Sequence, residues 1–316
     1  MPVALIDPGD QIRRLPHSLR IALGLLRRRR RIATPTVIQT HRADLALLCM
    51  VLWPKASHTY FIHTQESGLL GAESDSFWRR LAVLHRKLEQ FVVRHADAVR
   101  VFNADYAEKV ATWNSQARFS PTWWDPALVQ CGLDKARPPD KERNLIWVGR
   151  FETPKNPALA VKTLAYLRSA APERDWRLTM VGTGNLFEAT SQLASQLGLD
   201  DSVRFTGRLR PAQVMEQLAS SRVLLMTSVE GYEGYPRVLV EALALGCSAV
   251  VTAGADTGAL VREGVNGFRA RAFESELGNR VIDAISLRST DSIASVSHLR
   301  ASEVISSLYA DEALVA

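Results

Sequence analysis

Along this chain, short apolar runs alternate with longer stretches in which apolar residues recur every three or four positions. The first kind reads as buried strand and the second as amphipathic helix. In the first half, strands are expected at Thr36–Thr40, Thr59–Ile62 and Ala98–Phe102, and helices at Ala43–Leu52, Ser76–His95 and Asp105–Trp113. Val3–Ile6 reads as a further short strand, and Leu15–Ile32 as a helix with a basic end. From Phe119 to Arg143 the pattern dissolves. Pro121, Pro126, Pro138, Pro139 and a polar run mark a linker. A second series then begins. Strands are expected at Leu145–Val148, Trp176–Val181, Val203–Phe205, Val223–Met226, Ser248–Thr252 and at Phe268. Helices fall at Pro157–Ala170, Leu186–Leu197, Pro211–Ser220, Arg237–Leu245 and from Glu274 onward. Strands alternating with helices predict an α/β chain with parallel sheets covered on both faces.

The stretch Thr227–Thr252 organises the second series. A strand end runs into a loop broken by Gly231, Gly234 and Pro236, then a helix stopped by Gly246, then a strand. Pro236 suits a helix start because its missing N–H would have no partner there. A glycine-rich loop entering a helix offers free N–H groups and the positive dipole end, which suits phosphate or another anion. Glu233 and Glu241 bracket the loop and are read as holding sugar hydroxyls.

Composition narrows the classes only a little. The 316 residues suggest about two domains, and 47% hydrophobic with 23% charged is ordinary for a globular protein. The net charge of +6 is compatible with nucleic acid, an anionic membrane or a negatively charged small substrate, or with a surplus of surface arginine. Cys49, Cys131 and Cys247 lie far apart without a CxxC pair, so a disulfide framework or zinc site is not expected and a reducing compartment fits. No leader pattern is legible at the start. The longest apolar run, Ala46–Trp53, is far below the roughly 20 residues of a membrane helix. The run Arg27–Arg31 beside an apolar half-helix reads as a solvated helix end or as a contact for an anionic membrane surface. Nucleic acid is not expected, since no aromatic stacking platform accompanies the arginines.

In open parallel sheets, ligands gather at the carboxyl ends of strands. His41, His63 and Asn103 fall at such ends, and His63 is favoured over His41 for a role in a cleft. In the second half, Arg150 and Lys155 follow the strand Leu145–Val148. They form the second wall of a pyrophosphate site facing the helix start near Arg237. Gly182-Thr183-Gly184 is an incomplete dinucleotide fingerprint, read as a close approach of a ligand or a tight turn. No Asp-x-Asp pair and no metal-spaced cluster occurs, so protein cations are expected to neutralise the anion.

Four blocks together carry a resemblance. They are NLIWVGRFETPKNP, WRLTMVGTGN, SVRFTGRLRPAQVMEQLASSRVLLMTS, and EGYPRVLVEALALGCSAVVT followed by GALVREGVNGF. The second half resembles the C-terminal domain of retaining glycosyltransferases of the GT-B fold, glycosyltransferase family 4. Its E-x7-E motif matches Glu233 and Glu241, with Glu230 as an off-register decoy. The resemblance implies two Rossmann-like domains facing across a cleft. They would comprise an acceptor domain over residues 1–138 and a nucleotide-sugar domain over 139–290, with a C-terminal helix over 291–316 returning toward the first domain. It implies that Arg150 and Lys155 bind the donor diphosphate. The backbone at Gly207 and Leu209 would read the base, and Glu241 would hold the ribose. Glu233 would hold the donor sugar. Gly184, Gly234 and the amides around Tyr235, Val238 and Leu239 would line the donor.

TVIQTHRADLALL and TYFIHTQESGLLG resemble strand-plus-histidine segments of the family's acceptor domain, which makes His63 the active-site histidine. The strand, glycine loop and helix that usually open that domain are not recognisable, so the first domain is expected to be shortened. The implied function is metal-independent sugar transfer, with retention, from a nucleotide-sugar donor to a glycan or lipid-linked acceptor. No cofactor is expected. The implied location is the cytoplasm or the inner membrane face. The alternatives are a nucleotide-sugar-binding protein with impaired turnover and, from the α/β pattern alone, a nicotinamide-dependent oxidoreductase.

Overall fold

The computed structural model describes residues 17–28, 32, 34–63, 81–136, 144–256 and 258–310. These form two compact units, one holding described residues up to 63 and from 81 to 119, the other those from 120 onward. The expected strand at Val3–Ile6 and Arg29–Arg31 of the basic run lie outside the described residues. Helix α1 is His17–Arg28.

The first unit is built on a four-stranded parallel sheet in the order β1 (Val37–Thr40), β2 (Ser57–Ile62), β3 (Ala98–Val101), β4 (Ala117–Phe119). Register is set by the pairs Val37↔Ser57, Thr59↔Ala98 and Val99↔Ala117. Five of the six β2 residues are buried, as expected of a strand covered on both faces. Helices α2 (Ala43–Leu52), α3 (Ala82–His95) and α4 (Ala104–Ala111) provide the cover. The core gathers Ala46, Tyr60, Ile62, Val92, Val99, Val101 and Val110.

The stretch expected to be a linker is structured. Ala117–Phe119 supplies the fourth strand, and Pro126–Lys135 forms helix α5. The prolines mislead as breakers here, because Pro126 occupies a first-turn position. Asp125 caps the helix by accepting the Ala127 N–H at 2.8 Å. α5 packs on helix α8 (Pro211–Ala219). At Gly132 an added Cβ would lie 2.7 Å from the Met215 Cβ, so the two backbones nearly touch. Trp124 donates its indole N–H to the Val296 carbonyl (2.8 Å) and pairs in parallel with Arg300. Residues 120–136, placed with the first domain from sequence, therefore pack with the second unit.

The second unit holds a six-stranded parallel sheet in the order β10-β9-β8-β5-β6-β7. In chain order these are β5 (Asn144–Val148), β6 (Arg177–Val181), β7 (Val203–Gly207), β8 (Val223–Met226), β9 (Ser248–Thr252) and β10 (Gly267–Ala270). Every residue of β8 and β9 is buried. Helices α6 (Pro157–Ala170), α7 (Phe187–Gln196), α8, α9 (Arg237–Ala244) and α10 (Glu274–Ala284) follow in chain order. Trp147, Phe151, Leu164, Leu167, Trp176 and Met180 fill the core. The C-terminal stretch continues as α11 (Ser289–Ser295), a short 3-10 turn and α12 (Ala301–Ala310).

The chain lays down β5, β6 and β7 in one direction, then crosses to the other side of β5 for β8, β9 and β10. The order thus reverses between β5 and β8, where Leu145 pairs with Val223. Loops leaving adjacent strands diverge at such a point and open a crevice. The loops concerned carry Arg150 and Lys155 on one side and Glu233 on the other.

Candidate functional site

The loop after β5 is shaped by the glycines after β6. Gly182 has φ +134, and an added Cβ would sit 1.8 Å from the Gly149 carbonyl oxygen. At Gly184 it would sit 2.4 Å from the Phe151 carbonyl oxygen. Phe151 donates its N–H to Thr183 O (3.0 Å), and Leu186 donates to Phe151 O (2.8 Å). The Gly-Thr-Gly element therefore clamps the Arg150 loop at a distance no side chain would allow. The close approach is of backbone to backbone, which neither sequence reading, a ligand or a tight turn, anticipated.

The loop after β8 is tied to the same turn. Trp147 donates its indole N–H to Thr227 Oγ1 (3.0 Å), and the Thr227 hydroxyl points at the carbonyls of Lys155 (2.8 Å) and Asn156 (2.9 Å). Val229 donates its N–H to Pro154 O at 2.9 Å. Thr252 donates to Ser228 O at 2.6 Å. Two loops far apart in sequence are thereby fixed to one another by buried groups.

Within that frame, Lys155 Nζ meets Glu233 Oε1 at 2.5 Å, and the Ser228 hydroxyl donates to the same oxygen at 2.5 Å. Both charged side chains are largely buried, where a pair interacts more strongly than at the surface. Arg150 splays its guanidinium between Glu152 Oε1 (2.9 Å) and the Tyr232 hydroxyl (2.5 Å). The Lys155 ammonium lies 5.5 Å from the Tyr232 ring centroid, within cation–π range. Burial pushes the Tyr232 phenol up, against the opposing pull of Arg150.

Glu241 sits on α9, one turn after Arg237, which donates its Nε–H to Glu241 Oε1 at 2.7 Å. Burial raises the Glu241 carboxyl, and the Arg237 guanidinium pulls it back down. The Leu239 side chain is fully buried and its N–H is donated to Pro236 O at 3.0 Å. That first-turn amide is already taken. The N–H groups of Arg237 and Val238 have no partner among the described residues. Gly234 and Tyr235 are buried in the loop. The Tyr235 phenol is pushed up to about 12 by burial and by Asp256, and its ring lies against Gly258.

Gly207 ends β7 with φ +68 and open space over its α carbon. Half-buried Leu209 lines a hollow of about 360 Å³ with Phe205, Thr206 and Gln213. A larger hollow of about 680 Å³ opens at the amino ends of β5, β6 and β7. Among its polar side chains, Asn144 donates to Ser220 O and Asp200 accepts from Ser195.

In the first unit, His41 Nδ1 and His63 Nε2 share a hydrogen bond of 2.6 Å just beyond the carboxyl ends of β1 and β2. His63 stacks on Phe102 (4.6 Å) and His41 on Phe61 (4.9 Å). Burial, then the His41 charge, lowers His63 to about 4. His63 is therefore a neutral imidazole near neutral pH, with one ring nitrogen to donate a hydrogen bond and one to accept. Asn103 caps α4 by accepting the Tyr106 N–H at 2.8 Å, a structural task.

The structure thus brings Lys155 and Glu233 together in the second unit and sets Arg150 beside them through Tyr232, while Glu241 is paired with Arg237 on α9. Tyr232, Ser228, Thr227 and Arg237 were missed from sequence. Tyr232 carried a signal, the doubled Glu-Gly-Tyr of residues 230–235, and Arg237 stands four residues before Glu241. Ser228 and Thr227 carried none. Among the described residues, no cluster of three or more His, Cys, Asp or Glu is placed to hold a metal ion, and no helix is long and apolar enough to cross a membrane.

Comparison with known proteins gives a family for the second unit and a fold for the chain. Lipopolysaccharide 1,6-galactosyltransferase of Salmonella typhimurium is 26% identical over 177 residues, covering 55% of this chain and 47% of that protein. D-inositol 3-phosphate glycosyltransferase of an Arthrobacter species is 27% identical over 161 residues, covering 50% and 37%. The chain spans about half or less of the length of these curated relatives. Among solved structures, sucrose-phosphate synthase of Thermosynechococcus elongatus superposes with TM-score 0.74 at 17% identity, over 94% of this chain and 78% of that one. Anabaena HepE in complex with UDP and glucose does so with TM-score 0.70 at 14% identity, over 93% and 81%. These likenesses establish the fold: two parallel-sheet α/β domains, as in GT-B glycosyltransferase structures. The model of the family "Glycosyl transferases group 1" matches residues 133–292, just over half of the chain, and the chain belongs to that family.

Proposed function

We propose that this chain transfers a sugar from a nucleotide-sugar donor to a glycan or lipid-linked acceptor, with retention at the anomeric carbon and without a metal ion. The observation that carries the reading is the meeting of Lys155, Glu233 and Ser228 beside Arg150, at the reversal point of the second sheet. Such a crevice suits a diphosphate, because it combines two cations with a helix start. The leaving diphosphate would be stabilised by Arg150, Lys155 and the first amides of α9, a preorganised electrostatic site. Glu233, released from Lys155 when phosphate replaces it, would hold donor-sugar hydroxyls, and Glu241 the ribose. Gly207 and Leu209 would line the base. Gly184, Gly234, Tyr235, Val238 and Leu239 would frame the donor, with Val238 contributing its amide and Leu239 the apolar packing beneath the helix start. His63, neutral at physiological pH, would act near the transferred sugar. The relatives are named for work on lipopolysaccharide and inositol phosphate, which makes a glycan or glycolipid acceptor at the cytoplasmic membrane face a reasonable setting. Arg27–Arg31 would meet its anionic surface.

The test is a panel of UDP-, GDP- and ADP-sugars, monitoring nucleoside diphosphate release with and without EDTA. The anomer released first is read by proton NMR. Release from one donor class that EDTA leaves unchanged, with the donor's own anomeric configuration in the first product, is expected. Inversion, or loss of release with EDTA, would sink the corresponding part of the proposal.

A further inference from the structure

We propose that Tyr232 is a positioning residue of the donor site, holding Arg150 and Lys155 side by side so that both address the same diphosphate. This rests on the donor reading above and assigns a task that neither glutamate of the E-x7-E pair performs.

The geometry comes from one aromatic side chain with two faces of contact. Its hydroxyl accepts from Arg150 Nη2 at 2.5 Å. Its ring lies 5.5 Å from the Lys155 ammonium. Two cations placed close together repel, and each would otherwise move toward solvent or toward its own carboxylate. Arg150 has Glu152 on its open side at 2.9 Å, and its side chain is 65% exposed. Among the described residues, Tyr232 is the contact that draws the guanidinium away from Glu152 and toward the ring beside Lys155. A phenol oxygen and a π face attract both cations without adding a negative charge. A carboxylate in the same place would neutralise the site and compete with phosphate.

Tyr232 is itself held firmly. Val229, at the start of its turn, donates to Pro154 O at 2.9 Å, and Tyr232 N–H returns to Val229 O at 3.4 Å. The Glu230 backbone is pressed on Gly254, where an added Cβ would meet the Glu230 Cα at 2.3 Å. The doubled Glu-Gly-Tyr is thus divided by task. The tyrosine of the second copy, Tyr235, packs on Gly258, while that of the first faces the cations.

The test uses the whole chain and isothermal titration with UDP, GDP, ADP and CDP. The tightest diphosphate and its own monophosphate are then carried forward. Tyr232→Phe, which keeps the ring and removes the hydroxyl, is expected to weaken the diphosphate about threefold to tenfold, the worth of one typical hydrogen bond. Tyr232→Leu, which removes both contacts, is expected to weaken it further. Monophosphate affinity should stay within about twofold in both, since a single phosphate does not need two converged cations. Equal weakening of mono- and diphosphate would mark a merely structural residue and overturn the inference, as would unchanged diphosphate affinity in both variants. Wild-type chain that binds none of the four diphosphates would instead remove the donor reading, and this inference with it.

Discussion

Lys155 Nζ lies 2.5 Å from Glu233 Oε1, so the group read as meeting the diphosphate and the group read as meeting the sugar hold each other. The pair keeps both charges satisfied in a largely buried place. Removing one partner leaves the other exposed to the full cost of burial. Lys155→Met is therefore expected to destabilise the fold by about 2 kcal/mol in urea unfolding, less than for a wholly dry pair. The double variant with Glu233→Gln should recover part of that loss. Strict additivity of the two substitutions would show that the contact carries no coupling.

Gly182→Ala is expected to be far more damaging than an ordinary glycine change. Its Cβ would lie 1.8 Å from the Gly149 oxygen at a φ of +134, and neither backbone can retreat. A loss of roughly 3 kcal/mol or more is expected, or failure to fold. Gly198→Ala, also at positive φ but with open space around it, should cost only about 1 kcal/mol. Thermal melts of the two variants side by side make the comparison.

The histidine pair predicts a pH dependence. Folded His63 sits at about 4 against an ordinary 6.5, so the unfolded chain binds its proton first. Stability from neutral His63 is complete above about 6.5 and is lost as pH falls toward about 4. Melting temperature should fall across that window, and His63→Phe should flatten the fall. An NMR titration placing His63 above 6 would contradict the geometry.

Arg237→Gln should raise the Glu241 carboxyl further, since the guanidinium is what opposes the effect of burial. Nucleotide affinity is then expected to weaken as pH is lowered from 7 to 5, more than in the wild type, as Glu241 takes up a proton. A pH profile parallel to wild type would separate Arg237 from Glu241.

The second unit was legible because its strands are short apolar runs buried on both faces, as in Val223–Met226 and Ser248–Thr252. Periodicity and glycine stops fix such elements locally. The helix Pro126–Lys135 was not legible, because a proline cluster looks the same whether it breaks a chain or opens a helix. Asp125 at the cap decides between them. Arg150 and Lys155 could be named from their place in the loop after a strand, and Glu233 and Glu241 from the glycine loop they bracket and the E-x7-E resemblance. Their partners could not. Tyr232 meets Arg150 and Lys155 only because the β5 and β8 loops are clamped together, a tertiary relation that its doubled Glu-Gly-Tyr does not reveal, and Ser228 reaches Glu233 through the fold of their shared loop. The Gly-Thr-Gly element was read as a ligand approach or a tight turn; what approaches is the Gly149–Phe151 backbone, which strand order sets.

The central question is whether the second unit binds a nucleotide sugar through Arg150 and Glu241. Titration calorimetry of UDP-, GDP- and ADP-sugars against wild type, Arg150→Ala and Glu241→Ala decides it. One donor class should bind the wild type, weakening about tenfold or more in each variant, as expected when a charged partner is removed from bound phosphate or ribose. Binding that survives both substitutions unchanged, or no binding to the wild type, would contradict it.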